Sequence, residues 1–244
     1  MKRALFVAPF DELADPRLLA ELARDAEQAG FDGFFLWDHV DYRPPVSAIL
    51  DPWVCMAAIA VATERVLIGP LITPPARRRI HKLARETVTL DLLSDGRFVF
   101  GAGLGSDNSG EFSNFGEEAD PKARARLLDD GLEQLQRYWD GAFRPAPKRR
   151  IPIWLAARWP NRRPVRRAVR FEGVFPIDVP TPDDLAALRA EIPPPPFDLV
   201  VTNEAGVDPA PWFEAGATWC LTGFSNQPQL EDVRAAIAAG PSRG

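Results

Sequence analysis

An ionisable pair, Asp38-His39, closes the apolar run Gly33-Phe-Phe-Leu-Trp37. Four apolar residues leading straight into two titratable ones read as a strand buried on both faces that emerges with its chemistry at the carboxyl end. His39 is one of only two histidines, the other being His81, so a proton carrier near neutral pH has few alternatives. In this role His39 would be the acid or base, and Asp38 would orient the imidazole or hold a cofactor. Adjacent strand residues point to opposite faces, so both project inward only if the strand ends between them. The plainer reading is that Asp38 caps the following segment and His39 lies on the surface.

Three further stretches carry candidate chemistry. Thr73 ends an apolar run just before Pro74-Pro75. Gly101, Gly103 and Gly105 leave a strand end without side chains, which either admits a flat ring close to the backbone or serves tight turns and packing. Arg158-Trp159-Pro160-Asn161-Arg162-Arg163 joins a strand to a helix for which Asn161 is the N-cap. Free amides at that start, with Arg158, Arg162 and Arg163 nearby, make an anion site suited to a phosphate, while a solvated basic face accounts for some of Arg166, Arg167 and Arg170. Two distant histidines and two distant cysteines argue against a metal site.

The elements that must position these residues alternate regularly. Strands are expected at residues 4–8, 34–37, 65–72, 98–102, 153–156, 173–177, 198–202 and 218–222. Helices open at Asp15-Pro16, Asp51-Pro52, Asp120-Pro121 and Thr181-Pro182, with others over about 80–93, 162–171, 209–215 and 230–239. Eight strand–helix units without a break predict an α/β fold, a single (β/α)8 TIM barrel over residues 1–244 whose site lies at the carboxyl ends of the strands. A doubly wound sheet is the alternative. Against it, the Gly101–Gly105 run leads into a loop, where a dinucleotide fingerprint would open a helix after the first strand.

With 46% hydrophobic and 26% charged residues the chain has the balance of a globular protein, and its net charge of −5 argues against nucleic acid as partner. No apolar run is long enough to span a bilayer, and Lys2-Arg3 precedes too short a run for a signal peptide. Cys55 and Cys220 sit in apolar segments and read as free thiols. The expected location is the cytoplasm and the expected partner a small molecule.

The stretch Leu83-Ala-Arg-Glu-Thr-Val-Thr-Leu-Asp-Leu-Leu-Ser-Asp-Gly-Arg97, followed by Phe98-Val-Phe-Gly-Ala-Gly-Leu-Gly105, resembles the signature of the bacterial luciferase-like monooxygenases. The likeness extends through Glu111-Phe-Ser-Asn-Phe-Gly116, the helix at Arg124–Leu132, Ile151–Trp154 and Gly216–Trp219. It implies a (β/α)8 oxidoreductase using FMN or the deazaflavin coenzyme F420, with F420 slightly favoured by the Trp-Asp-His strand end, and a homodimer. It further implies that Asp38, His39 and Thr73 lie by the ring, with Gly103 and Gly105 at the rim, and that Arg158, Trp159, Asn161 and Arg162 hold the cofactor phosphate. Ile80-His81 departs from a common Pro-Trp, and the connection from Trp139 to Ile151 lacks the usual excursion, so the loops are shortened. Two other readings stand beside this one: a flavin-binding barrel without catalysis, and a phosphate-binding isomerase or lyase using Glu204 or Asp178 as base.

Overall fold

The computed structural model describes residues 1–241. Eight parallel strands alternate with eight α-helices: β1 (Lys2–Val7), α1 (Pro16–Ala29), β2 (Gly33–Leu36), α2 (Pro52–Ala62), β3 (Leu67–Pro70), α3 (Ile80–Leu93), β4 (Phe100–Ala102), α4 (Pro121–Arg137), β5 (Ile153–Arg158), α5 (Arg162–Ala168), β6 (Gly173–Ile177), α6 (Pro182–Arg189), β7 (Asp198–Glu204), α7 (Ala210–Glu214), β8 (Trp219–Gly223) and α8 (Leu230–Ala239). The sheet runs β3-β2-β1-β8-β7-β6-β5-β4. Parallel bridges Ile68↔Phe98 and Thr73↔Ala102 join its two ends, so the sheet closes into the expected (β/α)8 barrel.

Local sequence accounts for the helix starts. Asp15, Asp51, Asp120 and Thr181 each precede a proline and accept a backbone N–H of the first turn through the side chain. Each such cap contributes about 1 kcal/mol. Asn161 caps α5 in the same way, accepting from the Arg163 amide. At the β3–β4 seam the strands approach so closely that a Cβ on Gly69 would run into the Val99 carbonyl oxygen, and one on Gly101 into that of Pro70. Glycine is what lets this seam close.

Alternation divides the strand residues between two cores. Leu5, Val7, Phe34, Leu36, Ile68, Phe98, Phe100, Leu155, Val174 and Leu199 pack outward under the helices. Ala4, Phe6, Phe35, Val99, Trp154, Phe175, Val200, Trp219 and Leu221 fill the barrel interior. There Phe35, Trp154 and Trp219 pack tilted and edge-to-face with centroids 5.3–6.0 Å apart. The interior is therefore solid, and any site must lie above it at the carboxyl ends.

The connection from α4 to β5 is short and strandless. A π-turn at Tyr138–Ala142 ends the helix and buries Trp139, whose Nε1 donates to Thr87 Oγ1 at 2.9 Å. Cys55 and Cys220 are free and buried, and burial pushes both thiols up to about 11. No helix among the described residues is long and apolar enough to cross a membrane.

Candidate active site

β2 ends at Leu36, and the next three residues still alternate. Trp37 packs on Phe6 of the barrel interior, and His39 lies beside it with ring centroids 5.8 Å apart. Asp38 turns the other way, toward α2, where Trp53 Nε1 donates to its Oδ2 at 3.0 Å. The pair thus splits across the barrel wall, as strand geometry requires.

Asp38 is buried and fully engaged. Arg77 and Arg78 each donate to Oδ1 at 2.9 Å, Arg78 also reaches Oδ2 at 3.0 Å, and the Thr73 hydroxyl donates to Oδ2. Burial by itself would raise this carboxyl's pKa. The charges of Arg78 and Arg77, with the donors on Thr73 and Trp53, outweigh it and hold Asp38 below the ordinary carboxylate value. Neither Asp38 nor Thr73 keeps side-chain surface for a ligand. They hold the strand end in place, and direct contact with a ring by these two groups is not what the geometry provides.

The same arginine links Asp38 to His39. Arg77 Nη1 donates to Glu111 Oε1 at 2.6 Å, the Val40 amide donates to the same oxygen at 2.9 Å, and Glu111 Oε2 meets His39 Nδ1 at 2.8 Å. Burial would raise the Glu111 carboxyl, but the hydrogen bond and charge of His39 and the charge of Arg77 bring it below its ordinary value. An ionised carboxylate only accepts, so Nδ1 carries a proton toward Glu111, and Nε2 is the ring nitrogen left for a ligand. Side-chain exposure is 0% for Asp38, 5% for Arg77, 4% for Glu111 and 25% for His39. Of these four, His39 is the one presented to a ligand.

Around His39 the mouth is apolar and aromatic. Phe10 and Tyr42 flank the imidazole edge-on at 6.0 and 4.9 Å. Trp37, Ile72 and Ile177 form a partly exposed floor over the filled interior. Trp37 Nε1 is buried without a hydrogen-bond partner, an orphan donor at that floor. An apolar floor, one unsatisfied N–H and one imidazole suit a flat heteroaromatic ring edged with carbonyl oxygens.

Of the two readings of the glycine rim, the geometry matches tight turns and packing. A Cβ on Gly103 would collide with Ile72 Cδ1, and Gly105, at φ +71°, has Phe112 and Pro74 against it. The open space expected there is filled by protein, so these glycines serve close packing and a left-handed turn. The loop after β5 is also revised. The Trp159 amide is spent on the Ile177 carbonyl, the Asn161 amide on that of Arg158, and the Asn161 side chain on the cap. For an anion this rim therefore offers chiefly side-chain charge, with the Trp159 and Asn161 amides taken. Arg158 pairs at 2.7 Å with exposed Asp178, and Arg162 lies over Trp159 at 4.1 Å and pairs with Glu191. Glu204 is exposed at the end of β7, with neither it nor Asp178 buried as a general base would be.

Arg77, Arg78, Glu111 and Trp53 did not stand out in the sequence reading. The available signal was the triplet Arg77-Arg78-Arg79 directly after Thr73-Pro-Pro, opposite a carboxylate embedded in an apolar strand that must find a cation.

The profile of the luciferase-like monooxygenases matches residues 5–192. The chain belongs to the luciferase-like monooxygenase family. Among relatives of this family, an F420-dependent glucose-6-phosphate dehydrogenase of Beutenbergia cavernae is 30% identical over 183 residues, covering 66% of this chain and 52% of that protein. Its counterpart in Amycolatopsis mediterranei is 29% identical over 165 residues, 59% of this chain and 49% of that one. The chain spans about half the length of the curated relatives it matches. In fold it resembles an F420-dependent secondary alcohol dehydrogenase solved with an F420-acetone adduct, with TM-score 0.79 at 17% identity over 97% of this chain and 96% of that one. The FMN-bound oxygenating component of 3,6-diketocamphane monooxygenase from Pseudomonas putida gives TM-score 0.67 at 16% identity over 91% and 66% of the two chains.

In this luciferase-like barrel, Asp38→Asn keeps the shape while leaving part-buried Arg78 without its counter-charge and buried Arg77 with Glu111 alone. The expected loss is about 3–5 kcal/mol in urea unfolding at neutral pH. Because the folded carboxyl titrates below its unfolded value, its stabilisation is complete above about pH 4 and is lost as the pH falls through the folded pKa. The stability gap between wild type and variant should therefore narrow only under acid, and a gap that is absent at pH 7 would remove Asp38 from its anchoring role.

Proposed function

We propose that the protein is an oxidoreductase that binds F420, or FMN, over the Trp37–Ile72–Ile177 floor and acts on a small organic alcohol or carbonyl compound. The observation that carries this reading is His39: an imidazole with Nδ1 committed to Glu111 and Nε2 left free at an apolar mouth. Relatives named as F420-dependent dehydrogenases favour the deazaflavin. When bound, such a ring takes a hydride from an alcohol carbon or gives one to a carbonyl carbon.

The chain's own residues supply the rest. Trp37 offers its orphan N–H to a ring carbonyl, and Ile72 and Ile177 keep water from that face. His39 Nε2 accepts the hydroxyl proton of an alcohol being oxidised, or donates one to the oxygen of a carbonyl being reduced. Glu111 keeps Nδ1–H oriented and stabilises the imidazolium formed in the first direction, while Arg77 fixes Glu111. Asp38 and Thr73 act one step back by anchoring that arginine and the strand end. Arg158 and Arg162 meet the anionic end of the cofactor by charge, with Trp159 and Asn161 shaping the loop that carries them. Two buried free thiols suit a reducing cytoplasm, and a net charge of −5 suits a small-molecule rather than a nucleic-acid partner.

A homodimer is part of this reading. Val54, Ala57, Ala58 and Val61 make an apolar stripe along α2, with Val54 65% and Val61 73% exposed. Pairing of two such stripes would remove them from water.

Titration with F420 and with FMN, followed by cofactor and protein fluorescence, tests the reading directly. Saturable binding of one of them is expected, weakened about tenfold in Arg158→Ala. Silence toward both would end the oxidoreductase proposal. His39→Ala should fold and retain cofactor while losing about 10²–10⁴-fold in turnover. If the variant turns over within about threefold of wild type on a substrate found by screening, His39 is not the proton carrier. Sedimentation should give twice the chain mass for wild type and a single chain for Val54→Glu with Val61→Glu; a monomeric wild type would refute the pairing.

A further inference from the structure

In a chain of net charge −5, the segment from the end of β5 to just past α5 concentrates six arginines: 158, 162, 163, 166, 167 and 170. Three carboxylates answer them. Asp178 pairs with Arg158, Glu191 with Arg162, and Asp129 of α4 holds Arg167 at 2.6 Å and reaches Arg170 at 4.0 Å. Arg163 and Arg166 are exposed and form no ion pair within 4.0 Å among the described residues, although Arg163 adds to the field that holds Asp129 ionised. Positions 163 and 166 are three apart within α5 and share one helix face, beside the barrel mouth, while Arg170 follows in the turn after the helix.

We infer that the two unpaired arginines of this face, Arg163 and Arg166, form a subsite for the oligoglutamate tail of F420, receiving its carboxylates as the tail leaves the mouth past Arg158. The inference rests on the deazaflavin reading of the mouth. F420 differs from FMN in carrying, beyond its phosphodiester, a chain of glutamates with a free carboxylate on each. Its flexible, multiply negative tail needs spaced, exposed, unspent cations rather than a cavity. Arg163 and Arg166 offer them beside the exit, where the Trp159 and Asn161 amides are already used. Such contacts are individually weak and additive through charge, so the tail should act as a graded affinity term that salt screens. A helix face whose partners were structural would instead show its arginines paired, as Arg167 is with Asp129.

The test compares three ligands by fluorescence titration: long-tailed F420, short-tailed F420, and the deazaflavin precursor that lacks both phosphate and glutamates. For wild type, long-tailed F420 should bind about tenfold more tightly than short-tailed at low salt, with the difference shrinking as salt rises. Arg163→Gln with Arg166→Gln should abolish the length dependence without changing affinity for the tail-less precursor. Arg166→Glu should invert it. Both side chains are exposed and unpaired, and circular dichroism will register any loss of fold. F420 binding that is independent of tail length in wild type, or length dependence unchanged in the double variant, overturns this inference while leaving the deazaflavin site standing. Binding of FMN with no response to the precursor or to either F420 overturns both.

Discussion

A carboxylate with no access to water, at the end of a strand, is the constraint on which the mouth of this barrel depends. Asp38 cannot remain ionised there without cations, and Arg77 and Arg78 supply them from the segment between β3 and α3. Arg77 then needs its second partner, Glu111, which arrives from the long loop after β4 and brings its free oxygen to His39. Three connections far apart in sequence are thereby tied to one point. The imidazole stands at the wet end of this network because the other groups have used up their surface on one another.

Below that network the barrel is closed by packing. Phe35, Trp154 and Trp219 occupy the interior as a tilted aromatic cluster, and the β3–β4 seam closes because Gly69 and Gly101 admit a neighbouring carbonyl where a side chain would stand. A filled interior leaves the carboxyl-end mouth as the region where a flat ring can rest against apolar side chains and still meet a proton carrier. Trp37 joins the two regions: its ring packs on Phe6 of the interior, and its N–H lies unspent at the floor.

Charge is distributed with the same asymmetry. The chain is acidic as a whole, yet one rim and the helix descending from it are basic beyond what their carboxylate neighbours neutralise. The two environments are under different physical control: desolvation governs what rests on the apolar floor, and screened Coulomb attraction governs what the basic rim can hold.

The sequence by itself determined what depends on neighbours along the chain. The Asp-Pro and Thr-Pro helix starts, the extents of α2, α3, β6 and α8, and the eightfold alternation were legible because caps, prolines and apolar periodicity act over a few residues. The choice of His39 as the group facing the mouth was likewise within reach of a strand that alternates. Only the tertiary structure decided that Asp38 faces α2, that Arg77 and Arg78 neutralise it, and that Glu111, 72 residues from His39, fixes its tautomer. It also decided that Ile72 fills the space at Gly103 and that the Trp159 and Asn161 amides are spent. These outcomes hang on which strand lies beside which, in what register, and where each loop returns. A buried charge announces that it needs a partner, but the partner is selected by the closure of the barrel.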